Sequence, residues 1–249
     1  MGYKKLIRFE AIKTFPNVLE YPQDVAGKWG PFFGNEHPIT LELACGKGEY
    51  TVGLARLYPR GNYIGVDVKG NRIWVGANRA LEENLKNAAF LRSRIEFLPS
   101  YFKPGEVQEI WITFPDPQLN ISRAKKRLTY PRFLRLYKEI LAPDGIIHLK
   151  TDSPDLYNFT LAVTRIFGLP VFDCVEDVYA LETVSDALRI RTHYESLDIA
   201  GSNKVHYLQF GLNDNLLSEE RETALKEYLK ESEPVTDRTS EQRVNQSKT

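Results

Sequence analysis

Leu41-Glu42-Leu43-Ala44-Cys45-Gly46-Lys47-Gly48-Glu49-Tyr50 reads as a strand, a glycine turn and the start of a helix. Two glycines let the backbone take positive φ and approach a ligand closely. A dinucleotide-binding turn wants a third glycine three residues after Gly48, and Thr51 stands there instead. That weakens a pyrophosphate reading and disfavours a nicotinamide oxidoreductase. A zwitterionic amino-acid tail suits the turn, with Glu42 near its ammonium group. One βα unit later, Gly65-Val66-Asp67 ends a second strand. A carboxylate there, in a nucleotide-binding sheet, accepts hydrogen bonds from both ribose hydroxyls. Taken alone, Asp67 also suits a helix N-cap. At the spacing of one βα unit the two acids together point to an adenosine cofactor, and S-adenosylmethionine suits both.

Outward from this unit, short apolar runs alternate with longer amphipathic segments. The strands predicted are 39–44, 62–66, 95–98, 109–113, 146–150, 171–177 and 204–210, and the helices 49–57, 72–87, 131–141 and 154–167. Such alternation argues for an α/β fold with a largely parallel sheet. The longer polar stretch before the last strand makes an antiparallel edge strand plausible there. Residues 1–37, rich in Pro, Gly and aromatics, read as an irregular arm, and 38–213 as the main domain. A C-terminal helix is expected within 214–230, with Leu225 and Leu229 on one face, and a disordered polar tail over 231–249.

The chain has 249 residues, is 42% hydrophobic and has a formal net charge of zero. Indiscriminate nucleic-acid binding is therefore disfavoured, but local fields still steer ligands. Cys45 and Cys174 are far apart and make neither a disulfide framework nor a metal cluster, so no metal is expected. The charged N-terminus lacks a signal core, and no run approaches the roughly 20 apolar residues of a membrane span. A soluble cytoplasmic protein is the expectation; monomer and homodimer both stay open.

The second informative stretch is Phe114-Pro115-Asp116-Pro117, directly after an apolar run. The two prolines remove two amide donors and lock the backbone around one carboxylate at a strand's end. From Pro117 to Lys138 there are seven Lys or Arg and no acid. A fixed acid beside a basic field suggests that a polyanion is brought to a carboxylate. Arg132, Arg135 and Lys138 also fit the wet face of a helix whose Phe133, Leu134 and Tyr137 turn inward. Arg123, Lys125, Lys126 and Arg127 precede that helix and suit phosphates.

These motifs, with Lys126-Arg127-Leu128, His148-Leu149-Lys150-Thr151-Asp152 and Thr192-His193-Tyr194-Glu195, resemble the bacterial tRNA (guanine-N7)-methyltransferases of the TrmB type. The resemblance covers about 39–210. It implies a seven-stranded, Rossmann-like class I methyltransferase sheet, mostly parallel with an antiparallel strand. It implies that S-adenosylmethionine is held by Glu42, Gly46, Gly48 and Asp67, and that tRNA is the partner. Asp116 is placed at the catalytic centre beside the cofactor, with Asp152, Thr192, His193, Tyr194 and Glu195 toward the guanine. The family has an acid after the third strand, for which Ser100 or Tyr101 is nearest here. A family lysine is replaced by Asn120, with Arg123, Lys125 or Lys126 as compensating cations. Asp116, Asp152 and Glu195 all compete to read the guanine edge. Asp152 before Ser153-Pro154 also suits a helix cap, and Glu195 also suits a solvated loop acid or a partner of Arg191. The other readings are methylation of an exocyclic amine, which Pro117 and Gln118 fit poorly, and a non-catalytic tRNA-binding module.

Overall fold

The computed structural model describes residues 3–193, 195–197, 201 and 203–231. Eight strands form one sheet: β1 (Val18–Glu20), β2 (Ile39–Leu43), β3 (Asn62–Asp67), β4 (Ala88–Arg92), β5 (Val107–Thr113), β6 (Leu141–Thr151), β7 (Val171–Val175) and β8 (His206–Gly211). Their order is β1-β4-β3-β2-β5-β6-β8-β7. All neighbours run parallel except β8, which is antiparallel to both β6 and β7. The helices are α1 (Tyr3–Ala11), α2 (Trp29–Phe33), α3 (Glu49–Leu57), α4 (Gly70–Glu82), α5 (Pro131–Ile140), α6 (Pro154–Phe167), α7 (Asp186–Arg189) and α8 (Glu219–Glu231).

Strands β2 and β3 are buried along their whole length because helices cover both faces. Successive side chains alternate between two cores. Leu41, Leu43, Ile64, Val66, Ile110 and Ile112 pack with α5, α6 and α8. Tyr63, Phe90, Trp111 and Tyr207 pack with Tyr50 of α3 and Ile73 and Ala77 of α4. The parallel connections bring the carboxyl ends of β2 to β6 to one edge, where loops are free to build a site.

Several expectations change. The sheet has eight strands rather than seven, because the stretch read as an irregular arm contains α1, α2 and β1. Strand β1 is only three residues long, too short to show a period, and exists by pairing Val18 with Phe90 and Glu20 with Arg92. The strand expected at 95–98 lies instead at Ala88–Arg92, and Ile95–Ser100 is a 3-10 helix containing Pro99. The helix expected at 72–87 ends at Glu82, and Ala88 and Ala89 have weak strand propensity, which hides the start of β4. The antiparallel strand β8 is inserted between β6 and β7, so the sheet edge is β7 and not the last strand. The polar tail, apart from Glu231 at the end of α8, lies outside the described residues.

Candidate active site

The glycine turn after β2 is built from left-handed residues: Ala44 at φ 54°, Gly46 at 57° and Gly48 at 70°. A Cβ on Gly48 would lie 2.4 Å from Phe90 Cε1, so glycine is required by packing as well as by φ. Thr51, in place of a third glycine, serves Glu42. Its amide and Oγ1 donate to Glu42 Oε2 at 2.8 and 2.6 Å, and Thr113 Oγ1 donates to Oε1 at 3.1 Å. Burial raises the Glu42 pKa to about 7 although all three hydrogen bonds pull it down. Asp67 accepts from the Gly46 amide at 3.0 Å and the Lys69 amide at 2.8 Å. It therefore ties the glycine turn to the entry of α4. A cavity of about 300 Å³ opens here, lined by Ala44, Asp67, Val68, Ser93, Ile95 and Leu128.

Ser93, missed from the sequence, occupies the position immediately after β4. It is fully buried and its Oγ donates to the Tyr101 hydroxyl at 2.9 Å. The misplaced strand hid it; the apolar run from Ala88 to Leu91 was the available signal. Ser100 is exposed and lines a different cavity, with Pro22, Asp24 and Lys28, and not the one beside Asp67. Tyr101 meets the lining of the Asp67 cavity through its bond to Ser93.

The 114–117 loop follows β5. Phe114 has φ 46° and donates its amide to the Lys150 carbonyl at 2.8 Å. Pro115 is buried and Asp116 exposed. Asp116 Oδ1 accepts from the Gln118 amide at 3.0 Å, which closes a local turn inside the loop. Arg127 corrects an expectation: it is 5% exposed and does not face solvent phosphates. Its guanidinium donates to the carbonyls of Pro117, Gln118 and Leu119 at 3.2–3.4 Å and lies 4.4 Å from the centre of the Phe159 ring. Asn120 caps the 3-10 helix Ile121–Lys126 by accepting from the Ser122 amide and hydroxyl. Arg123, Lys125 and Lys126 are exposed. Arg135 pairs with Glu222 and Lys138 with Asp214, which fits the reading of a solvated helix face.

At the end of β6, Asp152 is half-buried, and the cap of α6 is Ser153, whose Oγ accepts from the Leu156 amide. Lys150 is fully buried. Its Nζ donates to Leu188 O at 2.9 Å, Ile190 O at 3.0 Å and Glu195 Oε2 at 3.2 Å. Burial lowers the Lys150 pKa, and Glu195 partly opposes the shift. Thr192 Oγ1 accepts from the Glu195 amide, and the Tyr179 hydroxyl donates to Glu195 Oε1. Arg191 lies over the Tyr179 ring, while Glu195 pairs with Lys150. His193 is exposed and borders a cavity of about 200 Å³ with Lys47, Glu49 and Arg79. Tyr194 lies outside the described residues.

The donor set fits S-adenosylmethionine: a left-handed glycine turn, carboxylates in the last residues of β2 and β3, and a cavity beside Asp67. The family described as "Putative methyltransferase" matches residues 36–208. A tRNA (guanine-N(7)-)-methyltransferase of Bacteroides thetaiotaomicron is 46% identical over 221 residues, covering 85% of this chain and 87% of that protein. A protein of the same name from Porphyromonas gingivalis is 47% identical, covering 82% and 87%. The chain belongs to the tRNA (guanine-N7)-methyltransferase family. Among solved structures, the 16S rRNA methyltransferase KamB aligns with a TM-score of 0.56 at 16% identity, covering 78% of this chain and 97% of that one. That likeness establishes the class I methyltransferase fold. In the family member β1 forms one edge of the sheet, and no helix among the described residues is long and apolar enough to cross a membrane.

Proposed function

We propose that the enzyme transfers a methyl group from S-adenosylmethionine to N7 of a guanine in tRNA, in the variable loop. S-adenosylmethionine, when bound, supplies an electrophilic sulfonium methyl. Glu42 and the glycine turn would hold its amino-acid end, Asp67 its ribose hydroxyls and Ser93 its adenine. The observation that carries the reading is the exposed Asp116, held at the end of β5 by the Gln118 amide and followed in sequence by the exposed Arg123, Lys125 and Lys126.

Guanine N7 has a lone pair and no proton, so no base is needed to free the nucleophile. Orientation supplies the rate, and it is worth on the order of 7–11 kcal/mol in well-aligned cases. Asp116 has two tasks: it orients the purine and it offsets the positive charge that develops on it. Asp152 and Asp116 are the carboxylates that suit the N1–H and N2–H₂ donors of guanine. The exposed cations bind phosphates and give affinity with little sequence information. A tRNA substrate supports the reading of a cytoplasmic enzyme.

Incubation with labelled S-adenosylmethionine and unmodified tRNA, followed by cleavage at 7-methylguanosine, tests the reading. Strand scission at one variable-loop guanine is expected. No scission with the wild-type chain overturns it, and full activity in Asp116→Ala removes that residue from the mechanism.

A further inference from the structure

Lys150 is bonded to both the 114–117 loop and the segment that carries Leu188, Ile190 and Glu195. Its carbonyl accepts the Phe114 amide at 2.8 Å, which helps hold the 114–117 loop in its left-handed start. Its ammonium, 0% exposed, reaches the opposite segment through Leu188 O, Ile190 O and Glu195 Oε2. Three donors meet three acceptors, which is the full capacity of a lysine. The rings of Tyr50, Phe114 and Tyr179 surround the same ammonium at 5.5, 5.6 and 5.7 Å. Such rings stabilise a desolvated cation.

Glu195 is equally committed. Tyr179 donates to Oε1, while Lys150 and the Thr192 amide, the latter at 3.3 Å, donate to Oε2. Its side chain is 6% exposed. A guanine edge needs two acceptor oxygens side by side. To offer them, Glu195 would release Tyr179 and leave a buried ammonium without its counter-charge, which is strongly unfavourable. Asp116 has no such obligation: it is exposed, and among the described residues its one donor is the Gln118 amide.

We infer that Lys150 is a positioning residue for methyl transfer, holding Leu188, Ile190 and Glu195 in register with the 114–117 loop, and that Glu195 is its counter-ion instead of an acid that reads guanine. The inference rests on the methyltransferase reading above for its kinetic consequence, but the latch itself is a property of the fold.

The test is a charge-removal cycle, with cofactor affinity and thermal midpoint measured for each variant. Lys150→Met strands the carboxylate and lowers kcat about 100-fold with a KM for tRNA within about 3-fold of wild type. Lys150→Met/Glu195→Leu removes both charges and recovers activity to within about 10-fold of wild type, because a buried pair can be replaced by apolar groups at little cost. Glu195→Gln strands the buried ammonium and lowers kcat as Lys150→Met does. If Glu195 reads guanine, the double variant is as inactive as the single. That result overturns the inference. Should Lys150→Met fold poorly, the double variant, which strands no charge, decides alone. Hydrogen exchange of peptides spanning 186–197 reads the latch without tRNA: faster exchange in Lys150→Met, restored in the double variant, is expected even if wild type methylates nothing. Unchanged exchange in all variants overturns the latch.

Discussion

Glu42 sits in a place where burial and hydrogen bonding oppose each other, and burial wins. Its pKa rises from 4.5 in the unfolded chain to about 7 in the folded protein. A carboxyl with a raised folded pKa contributes stability in full below its unfolded value and loses it as pH rises through the folded one. Stability should therefore fall by on the order of 3 kcal/mol between pH 4.5 and 7 from this group. Denaturant unfolding at pH 5 and pH 7.5 measures it. Glu42→Gln, having no proton to exchange, should lose that part of the slope; an unchanged slope would detach the pH dependence from Glu42. At this scale Glu42 and Asp67 were legible because each ends a strand before a turn. Ser93 was not, since two alanines concealed the strand before it. Arg127 was not either. A run such as Arg123-Ala124-Lys125-Lys126-Arg127 says that cations are present, and only packing against Phe159 says which one turns inward.

Among the elements, the connection from β5 to α5 is clamped rather than free. Arg127 holds three successive carbonyls of it, and its partners lie eight to ten residues away in sequence. Removing the clamp misplaces Asp116, and a displacement near 1 Å can cost on the order of 100-fold in rate. Arg127→Ala should lower kcat by about 10- to 100-fold. The slope of log tRNA affinity against log salt should not change. A slope reduced by about one unit would return Arg127 to the phosphate-binding set. The proline-flanked loop itself could be read in advance, because proline restricts φ whatever surrounds it. Its clamp could not, because a guanidinium fits a phosphate and a row of carbonyls equally well.

For the whole molecule, a net charge of zero means that affinity for a polyanion must come from a local field. Much of the basic stretch is internally neutralised: Arg135 and Lys138 bind α5 to Glu222 and Asp214 in the C-terminal region. Arg123, Lys125 and Lys126 stay exposed. Replacing all three by alanine should reduce the salt slope of tRNA binding by about 2 to 3, at roughly 0.7–0.9 per phosphate contact, and leave cofactor affinity unchanged. Binding isotherms at several salt concentrations check this. An unaltered slope would move the tRNA interface elsewhere.

Sequence alone determined the alternating α/β architecture and the acids and glycines of the strand ends. Local periodicity and proline chemistry act within a few residues, and parallel connections then bring those strand ends to one edge. Tertiary structure decided the eighth strand, the place of Ser93, the inward turn of Arg127 and the partner of Glu195. Val18 pairs with Phe90, and Glu195 meets Lys150 across a separation of 45 residues. Such contacts are set by which surfaces the folded sheet brings together, and no local pattern encodes them.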